Sequence, residues 1–293
     1  MRMREIIRVI PFKFRKRVPE LIYRHLYFQG LFTIHFEGKP FGKMTHLGTK
    51  IENEIFWRGL DGGHEPLSMK LWIHLIREIK PRFILDIGAN TGIYGIIAKL
   101  IEPNAQVLFF EPASESIAVI QKSLAGNRQY TGFKIYDLAL SNSTYLAKGA
   151  VATGSKIMPY VFLEPAENHV NPVTRPVRVS RLDDLIKSES LTFENIDLVK
   201  IDIEGHESKA IEGFGEFFSK STIFLIEILD SNSKTQLERF FPSNEYYFIN
   251  IDDDRRTLRL DHSLQQSLKW NVLIIPRKLS EKYSLISALQ QYS

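Results

Sequence analysis

The sequence contains no cysteine, and this absence excludes disulfide bonds, thiolate zinc sites and cysteine nucleophiles. It also has no run of about 18 apolar residues, so we expect no membrane-spanning helix. The N-terminus is basic, but Pro11, Phe12 and Lys13 interrupt its apolar part and no small-residue cleavage site follows. We therefore expect no secretory signal peptide. Together these absences predict a cytoplasmic protein.

The positive charge of the sequence is concentrated near its start. The 293 residues carry a net charge of +4. Residues 1–30, the basic arm, hold eight basic and two acidic residues, a net +6, so the remainder carries −2. A near-neutral body argues against a nucleic-acid partner, whereas the arm could contact an anionic membrane at its inner face. The alternative is that the arm's apolar residues pack on the body while its cations stay in water.

Strand and helix patterns alternate through most of the chain. Strands are predicted at 82–87, 106–110, 133–139, 196–203 and 222–229, and helices at 65–79, 92–101, 114–125, 206–218 and 234–241. This alternation predicts an α/β fold, with helices on both faces of a mainly parallel sheet. Two late strands, 246–251 and 271–275, could pair as an antiparallel hairpin at one edge.

The chain divides into three predicted parts. Residues 1–70 form the basic arm and a cap with short strands, 71–276 the main domain, and 277–293 a tail helix. In the arm, Pro19 suits the start of a helix that ends at Gly30. Residues 143–181 are an insert rich in glycine and proline where a helix is due. Such an insert is typical of a lid or a binding loop, and the alternative is an additional hairpin.

The first central strand runs into the turn D-I-G-A-N-T-G at 86–92. In an open parallel sheet, ligands bind beyond the carboxyl ends of the strands. Gly88 and Gly92 permit a sharp bend and close approach, and Asn90 and Thr91 are common at helix starts. The spacing D-x-G-x-x-x-G fits neither the dinucleotide nor the P-loop pattern, and Asp86 favours a cationic ligand such as an amine or a sulfonium. The alternative is a tight connection that binds nothing.

Two further acids lie where the next strands end. Glu111 follows V-L-F-F and could accept hydrogen bonds from both hydroxyls of a ribose, and Asp137 could meet an adenine amino group. Alternatively, Glu111 is an acid favoured at a helix start, and Asp137 is a plain loop residue. An acid at the tip of each of three successive strands suits an adenosine that carries an amino-acid tail. We therefore predict S-adenosylmethionine as the cofactor.

The sequence resembles the FkbM family of S-adenosylmethionine-dependent methyltransferases over residues 51–275. The resemblance lies in the motifs E-N-E-I-F-W-R-G-L, G-H-E-P, D-I-G-A-N-T-G-I-Y, F-E-P, D-L-A-L-S-N, L-D-D-L, I-D-L-V-K-I-D-I-E-G-H-E and N-V-L-I-I-P. It implies a Rossmann-like class I methyltransferase fold, whose seven-stranded sheet has a reversed last strand. It also implies O-methylation, typically of a sugar or polyketide hydroxyl.

The fourth strand carries the candidate catalytic residues. Because strand side chains alternate, Lys200, Asp202 and Glu204 share one side, and His206 follows the next turn. We predict that Asp202, Glu204 or His206 removes the hydroxyl proton, helped by Lys200. Alternatively, Lys200 and Asp202 only order the site, and Glu204 and His206 only cap a helix. The acids could also hold a metal, but no histidine pair supports one, and we predict none.

Three residues nearer the N-terminus are further candidates for the site. Trp57 and His64 precede the first central strand and could close over substrate or cofactor. Tyr94 lies one turn into the next helix and could touch the carboxylate of the cofactor. For each of the three the alternative is ordinary packing.

Other functions remain open on the sequence alone. The missing third glycine and the acid before Gly88 count against a dinucleotide-dependent oxidoreductase. The intact acids at the strand ends count against a non-catalytic protein that keeps the cofactor fold only for interaction. A nucleic-acid methyltransferase is disfavoured, because no N-P-P-Y type motif follows the fourth strand and the body is not basic. The expected acceptor is a small molecule or a glycan. The sequence does not specify the oligomeric state.

Overall fold

The computed structural model describes residues 7–127, 131–154, 157–162 and 173–283. Its α-helices are α1 (Phe12–Arg15), α2 (Glu20–Tyr23), α3 (Lys50–Arg58), α4 (Pro66–Ile79), α5 (Ile93–Ile101), α6 (Ser114–Ala125), α7 (Leu182–Ser188), α8 (Glu207–Glu212), α9 (Ser231–Glu238) and α10 (Arg277–Tyr283). Its β-strands are β1 (Gly30–Phe36), β2 (Lys39–His46), β3 (Phe83–Ile87), β4 (Gln106–Phe110), β5 (Phe133–Tyr136), β6 (Ala139–Leu140), β7 (Tyr145–Gly154), β8 (Ile157–Phe162), β9 (Val173–Ser180), β10 (Leu198–Ile201), β11 (Ile223–Glu227), β12 (Tyr246–Asp252), β13 (Thr257–Asp261) and β14 (Asn271–Pro276).

The main sheet has eight strands in the order β13-β12-β14-β11-β10-β3-β4-β5. Strands β11, β10, β3, β4 and β5 are parallel, and β14 runs antiparallel to both β11 and β12. The predicted α/β class and the reversed last strand are therefore confirmed. The two late strands pair antiparallel as expected, but they do not form the edge, because β13 lies outside them and the sheet has eight strands rather than the predicted seven. The edge belongs to β13, a largely exposed strand that the sequence pattern did not reveal.

Alternation along the central strands builds a core on each face of the sheet. Ile84 and Leu198 belong to one apolar cluster, and Leu85 and Val199 belong to the other. Helices α4, α5 and α6 supply side chains to the first cluster, and α7, α8 and α9 supply them to the second. Burial on both faces explains why these strands read as continuous apolar runs. It also leaves their carboxyl ends, beyond the packed core, available for a site.

The insert forms a second sheet rather than a helix. Its strands β7, β8 and β9 pair antiparallel, and β6 joins β9. Arg175 of β9 donates hydrogen bonds to the Pro112 carbonyl and to Glu115, which ties this sheet to the end of β4. The strands of the insert that the structure describes therefore match the alternative of an additional hairpin. Residues 155–156 and 163–172 of the insert lie outside the described residues.

The N-terminal cap packs on the main domain. The β1–β2 hairpin is joined to α6 by a hydrogen bond from the Thr45 amide to Ser123 Oγ at 2.9 Å. The predicted helix at 19–30 is wrong in extent, since α2 ends at Tyr23 and the chain is extended from Gly30. Of the tail helix, the described part is α10, and residues 284–293 lie outside the described residues. Within the described ranges no helix has the length and apolarity needed to cross a bilayer.

Candidate cofactor and acceptor site

A cavity of about 730 Å³ lies at the carboxyl ends of β3, β4, β10 and β11. This volume is typical of a small-molecule site. One lysine, Lys200, lines the cavity together with six carboxylic acids: Glu65, Asp86, Glu111, Asp202, Glu204 and Glu227. An excess of carboxylates over cations favours a positively charged ligand.

The glycine turn forms one wall of this cavity. Gly88 has φ +75°, and a Cβ placed there would lie 1.9 Å from the Asp202 carbonyl oxygen. Gly92 has φ +72°, and its Cβ would lie 2.7 Å from Ile120. Both glycines are therefore required by backbone conformation and by close approach. Between them, Asn90 and Thr91 line the cavity as predicted.

Asn90 supplies a test of whether the turn fits a ligand. Its φ is +50°, and its Oδ1 atom is buried without a hydrogen-bond partner among the described residues. A buried acceptor of this kind normally has a partner, so a donor from a bound molecule would satisfy it. The residues present thus fit a cofactor that carries hydroxyl or amino donors.

Asp86 and Glu111 face the cavity from the ends of β3 and β4. Asp86 accepts a hydrogen bond from the Gly95 amide at 2.8 Å, and Glu111 accepts one from Asn90 and one from Ala113, each at 2.7 Å. Burial raises the pKa of each carboxyl to about 7, although these amides act in the opposite direction. Each acid is therefore held in place by the backbone while keeping lone pairs for a ligand.

Asp137 is placed differently from the other two acids. It follows β5 and is exposed, and it is absent from the cavity lining. Its backbone carbonyl accepts a hydrogen bond from Arg178 Nε at 3.2 Å. The structure therefore does not bring Asp137 together with Asp86 and Glu111, and its adenine contact stays a prediction.

The predicted catalytic residues converge on the wall next to the glycine turn, at the end of β10, the strand that pairs with β3. Lys200, Asp202, Glu204 and His206 all line the cavity. Lys200 is buried, and its Nζ lies 3.6 Å from Asp202 Oδ2. Burial alone would lower the pKa of Lys200, but Asp202 and the other nearby acids raise it, so the lysine is charged. His206 Nε2 lies 2.9 Å from Ser141 Oγ, at the start of α8.

Glu227 also belongs to this wall and was missed by the sequence analysis. It is the last residue of β11, so the expectation that ligand-binding acids lie at the ends of central strands would have identified it. Burial and the neighbouring Asp202 raise its pKa to about 9. Oxygens of Asp202, Glu204 and Glu227 lie within 4.8 Å of one another, a spacing at which a divalent cation could bind. The expectation of no metal therefore stays a prediction.

The structure places two of the three further candidates in the cavity and the third in the core. His64 and Tyr94 line the cavity, and the Tyr94 hydroxyl donates to Glu65 at 2.5 Å. Trp57 is fully buried, and its indole N–H donates to Asn53 Oδ1 at 3.1 Å. Its proposed role over substrate is therefore wrong, because its ring packs in the core beside Tyr23.

The rim of the cavity is apolar beyond the end of β11. Trp270 is 61% exposed and Leu229 is 37% exposed, and both line the cavity. The Ile228 amide donates to the Trp270 carbonyl at 2.8 Å, which fixes the two segments side by side. Large exposed apolar side chains at a cavity mouth are typical of a binding surface.

Comparison with known proteins assigns the family. The methyltransferase FkbM domain model matches residues 86–260. Methyltransferase sdnD of Sordaria araneosa is 29% identical over 159 residues, which cover 46% of this chain and 61% of the relative.

Two solved structures are distantly similar. An S-adenosylmethionine-dependent methyltransferase of Agrobacterium tumefaciens has a TM-score of 0.44 and 9% identity, covering 83% of this chain and 69% of its own. An O-methyltransferase of Bacillus cereus in complex with S-adenosylhomocysteine has a TM-score of 0.41 and 10% identity, covering 71% of this chain and 80% of its own. The family assignment therefore rests on the match to the family model and not on these two structures. Because the family model covers more than half of the chain, the chain belongs to the FkbM family of S-adenosylmethionine-dependent methyltransferases.

Proposed function

We propose that this protein transfers a methyl group from S-adenosylmethionine to a hydroxyl group of a sugar or polyketide-like acceptor. One observation carries the proposal: a single cavity joins the glycine turn and its acids to a second wall of acid–base residues. When bound, the cofactor supplies a methyl group that is already activated as an electrophile. The residues that would hold it are Asp86, Gly88, Asn90 and Glu111.

The acid–base wall would prepare the acceptor. In the proposed reaction the acceptor oxygen forms a bond to the methyl carbon, the carbon–sulfur bond breaks, and the hydroxyl proton passes to a base on the protein. Asp202 suits this role, because it lines the cavity and the buried Lys200 Nζ lies 3.6 Å from its Oδ2. His206, oriented by Ser141, is the second candidate. A positioned base contributes about 10²- to 10⁴-fold to such a step.

The apolar rim supports an acceptor that has a ring. Trp270 and Leu229 offer a surface on which the apolar face of a sugar or polyketide ring can pack. Polar hydroxyls of the same ring would then point inward to Asp202 and Glu204. This arrangement suits an acceptor that is apolar on one face and hydroxylated on the other.

Mass spectrometry tests the proposal. Glycans and metabolites from cells with and without this chain should differ by one methylene on a single acceptor. With that acceptor and saturating cofactor, Asp202→Asn and His206→Ala should lower turnover, Asp202→Asn by about 10²-fold or more. Glu216→Gln, an exposed acid outside the cavity, is the matched control. Near-normal rates in both site variants would mean that positioning alone drives transfer, and cofactor binding without any methylated product would favour a non-catalytic protein.

We also propose that the basic arm rests on an anionic membrane surface. Ile7, Phe12 and Tyr23 of the arm are buried, with Phe12 stacked on His35 and Tyr23 on Trp57 of the cap, so part of the arm packs on the protein as in the alternative. Four apolar side chains remain largely exposed beside exposed cations: Val9, Phe14, Leu21 and Ile22. Such a mixture suits anionic lipid and an acceptor on a lipid carrier at the inner face of a membrane. Residues 1–6 of the arm lie outside the described residues.

A further inference from the structure

Glu65 occupies a strained position directly before α4. Its φ and ψ are +44° and +56°, a left-handed conformation that is uncommon for a residue other than glycine. Strain of this kind persists when the surrounding structure fixes it, and it is concentrated at functional sites.

The side chain of Glu65 does not cap its own helix. That role is taken by Asp253, which accepts hydrogen bonds from the amides of Leu67 and Ser68 at 2.7 and 2.9 Å and from Ser68 Oγ at 2.6 Å. The start of α4 is therefore satisfied from another part of the chain. This leaves the Glu65 carboxylate available to the cavity, which it lines with 13% of its side chain exposed.

The Glu65 carboxylate is held rigidly at both oxygens. Tyr94 donates to Oε2 at 2.5 Å, and Asn271 donates to Oε1 at 2.8 Å. Tyr94 lies in the first turn of α5, directly after the glycine turn. The carboxylate is therefore fixed between α5 and β14, in the wall of the same cavity that the glycine turn lines.

The charge state of Glu65 differs from that of Asp86 and Glu111, the other acids at the predicted cofactor site. Burial alone would raise its pKa, but Lys200 and His64, with the hydrogen bonds from Tyr94 and Asn271, lower it to about 2. The pKa values of Asp86 and Glu111 are instead raised to about 7. Near neutral pH, Glu65 is therefore charged, whereas Asp86 and Glu111 are partly protonated.

We propose that Glu65 binds the α-ammonium group on the methionine tail of the cofactor. This inference rests on the proposed function, because it assumes that S-adenosylmethionine occupies the cavity. A fixed, charged carboxylate in the cavity that the glycine turn lines can recognise an ammonium group by charge-assisted hydrogen bonding. The competing role is structural, in which Glu65 serves only as a counter-ion for Lys200.

Binding calorimetry with two ligands separates these roles. S-adenosylhomocysteine carries the ammonium group and no sulfonium charge, and 5′-methylthioadenosine lacks the amino-acid tail. We expect Glu65→Gln to weaken S-adenosylhomocysteine binding by about 10- to 100-fold, the range of a hydrogen bond to a charged group, and to change 5′-methylthioadenosine binding less than about twofold. Glu78→Gln, which changes an exposed acid in α4 outside the cavity lining, should change neither affinity.

Each outcome has a distinct meaning. An unchanged affinity for S-adenosylhomocysteine, or an equal loss for both ligands, would overturn the ammonium role. Should Glu65→Gln fail to fold, Glu65→Asp keeps the charge near Lys200 and shortens its reach, and the same selective loss is expected. If the wild-type protein binds neither ligand, the cofactor assignment itself fails, independently of Glu65.

Discussion

Glu111 is the residue whose protonation should set the affinity for the cofactor. A ribose diol donates hydrogen bonds, so it requires the carboxylate form of Glu111. Because the pKa of Glu111 is raised to about 7, the carboxylate fraction increases as the pH rises from 6 to 8, and affinity should rise with it. Calorimetry with S-adenosylhomocysteine across this range, on the wild type and on Glu111→Gln, checks the expectation.

Removing the Glu111 side chain should weaken cofactor binding more than protonating it does. Glu111→Ala should weaken binding by about 2–3 kcal/mol, the scale of hydrogen bonds to a charged group. The two amides that Glu111 accepts from would lose their partner, so circular dichroism must confirm that the variant folds. Unchanged affinity in a folded variant would exclude the ribose contact.

At the scale of elements, the glycine turn joins β3, α5 and the end of β10. A Cβ on Gly88 would collide with the Asp202 carbonyl, which is backbone and cannot rotate away. Gly88→Ala should therefore lower the thermal midpoint and abolish measurable cofactor binding. Gly205→Ala is the matched control, because Gly205 also has a positive φ, +93°, but open space around its Cβ position.

Comparing the two variants separates the cost of the left-handed backbone conformation from the cost of a steric clash at the added Cβ. Gly205→Ala should cost about 1–2 kcal/mol of unfolding free energy from the left-handed backbone alone. Gly88→Ala should cost more, as measured by denaturant unfolding of both proteins. Equal destabilisation by the two would show that close approach to Asp202 does not constrain the turn.

The sequence pattern correctly predicted those elements whose structure depends mainly on residues close to them in the sequence. The run through Asp86 predicted β3, its turn and α5, because burial on both faces and two glycines leave few alternatives. Glu65 could not be found in this way, since its direction depends on Asp253 binding the start of α4 from a distant part of the chain. Trp57 was misassigned for a related reason: only the folded cap shows that Tyr23 covers its ring.

For the whole molecule, the proposed contact of the basic arm with a membrane predicts salt-sensitive binding to anionic vesicles. Each exposed cation near anionic lipid contributes on the order of 1 kcal/mol, and salt screens it. We expect the wild type to float with phosphatidylglycerol-containing vesicles at low salt and much less at high salt. A variant with Lys13, Arg17 and Arg24 changed to serine should not float, and Leu21→Ser with Ile22→Ser should float less.

Point variants suit this experiment better than deletion of the arm. Phe12 and Arg15 are buried, and Arg15 Nη1 donates to the Phe56 carbonyl at 3.1 Å, so deletion would expose the core. A control that changes Lys122, Lys187 and Lys220 to serine removes the same charge from the body. Flotation lost equally in this control would point to net charge rather than the arm, and a wild type that stays unbound in all vesicles would contradict the membrane role.

The exposure of Trp270 has an optical consequence. The sequence has three tryptophans, and Trp57 and Trp72 are fully buried with their indole N–H groups bonded inside the protein. Trp270 alone lies at the cavity mouth in contact with water. The emission of the protein therefore divides into a part shielded from aqueous quenchers and a part open to them. An acceptor seated at the rim would shield the open part, so the unlabelled protein carries its own fluorescent reporter of occupancy.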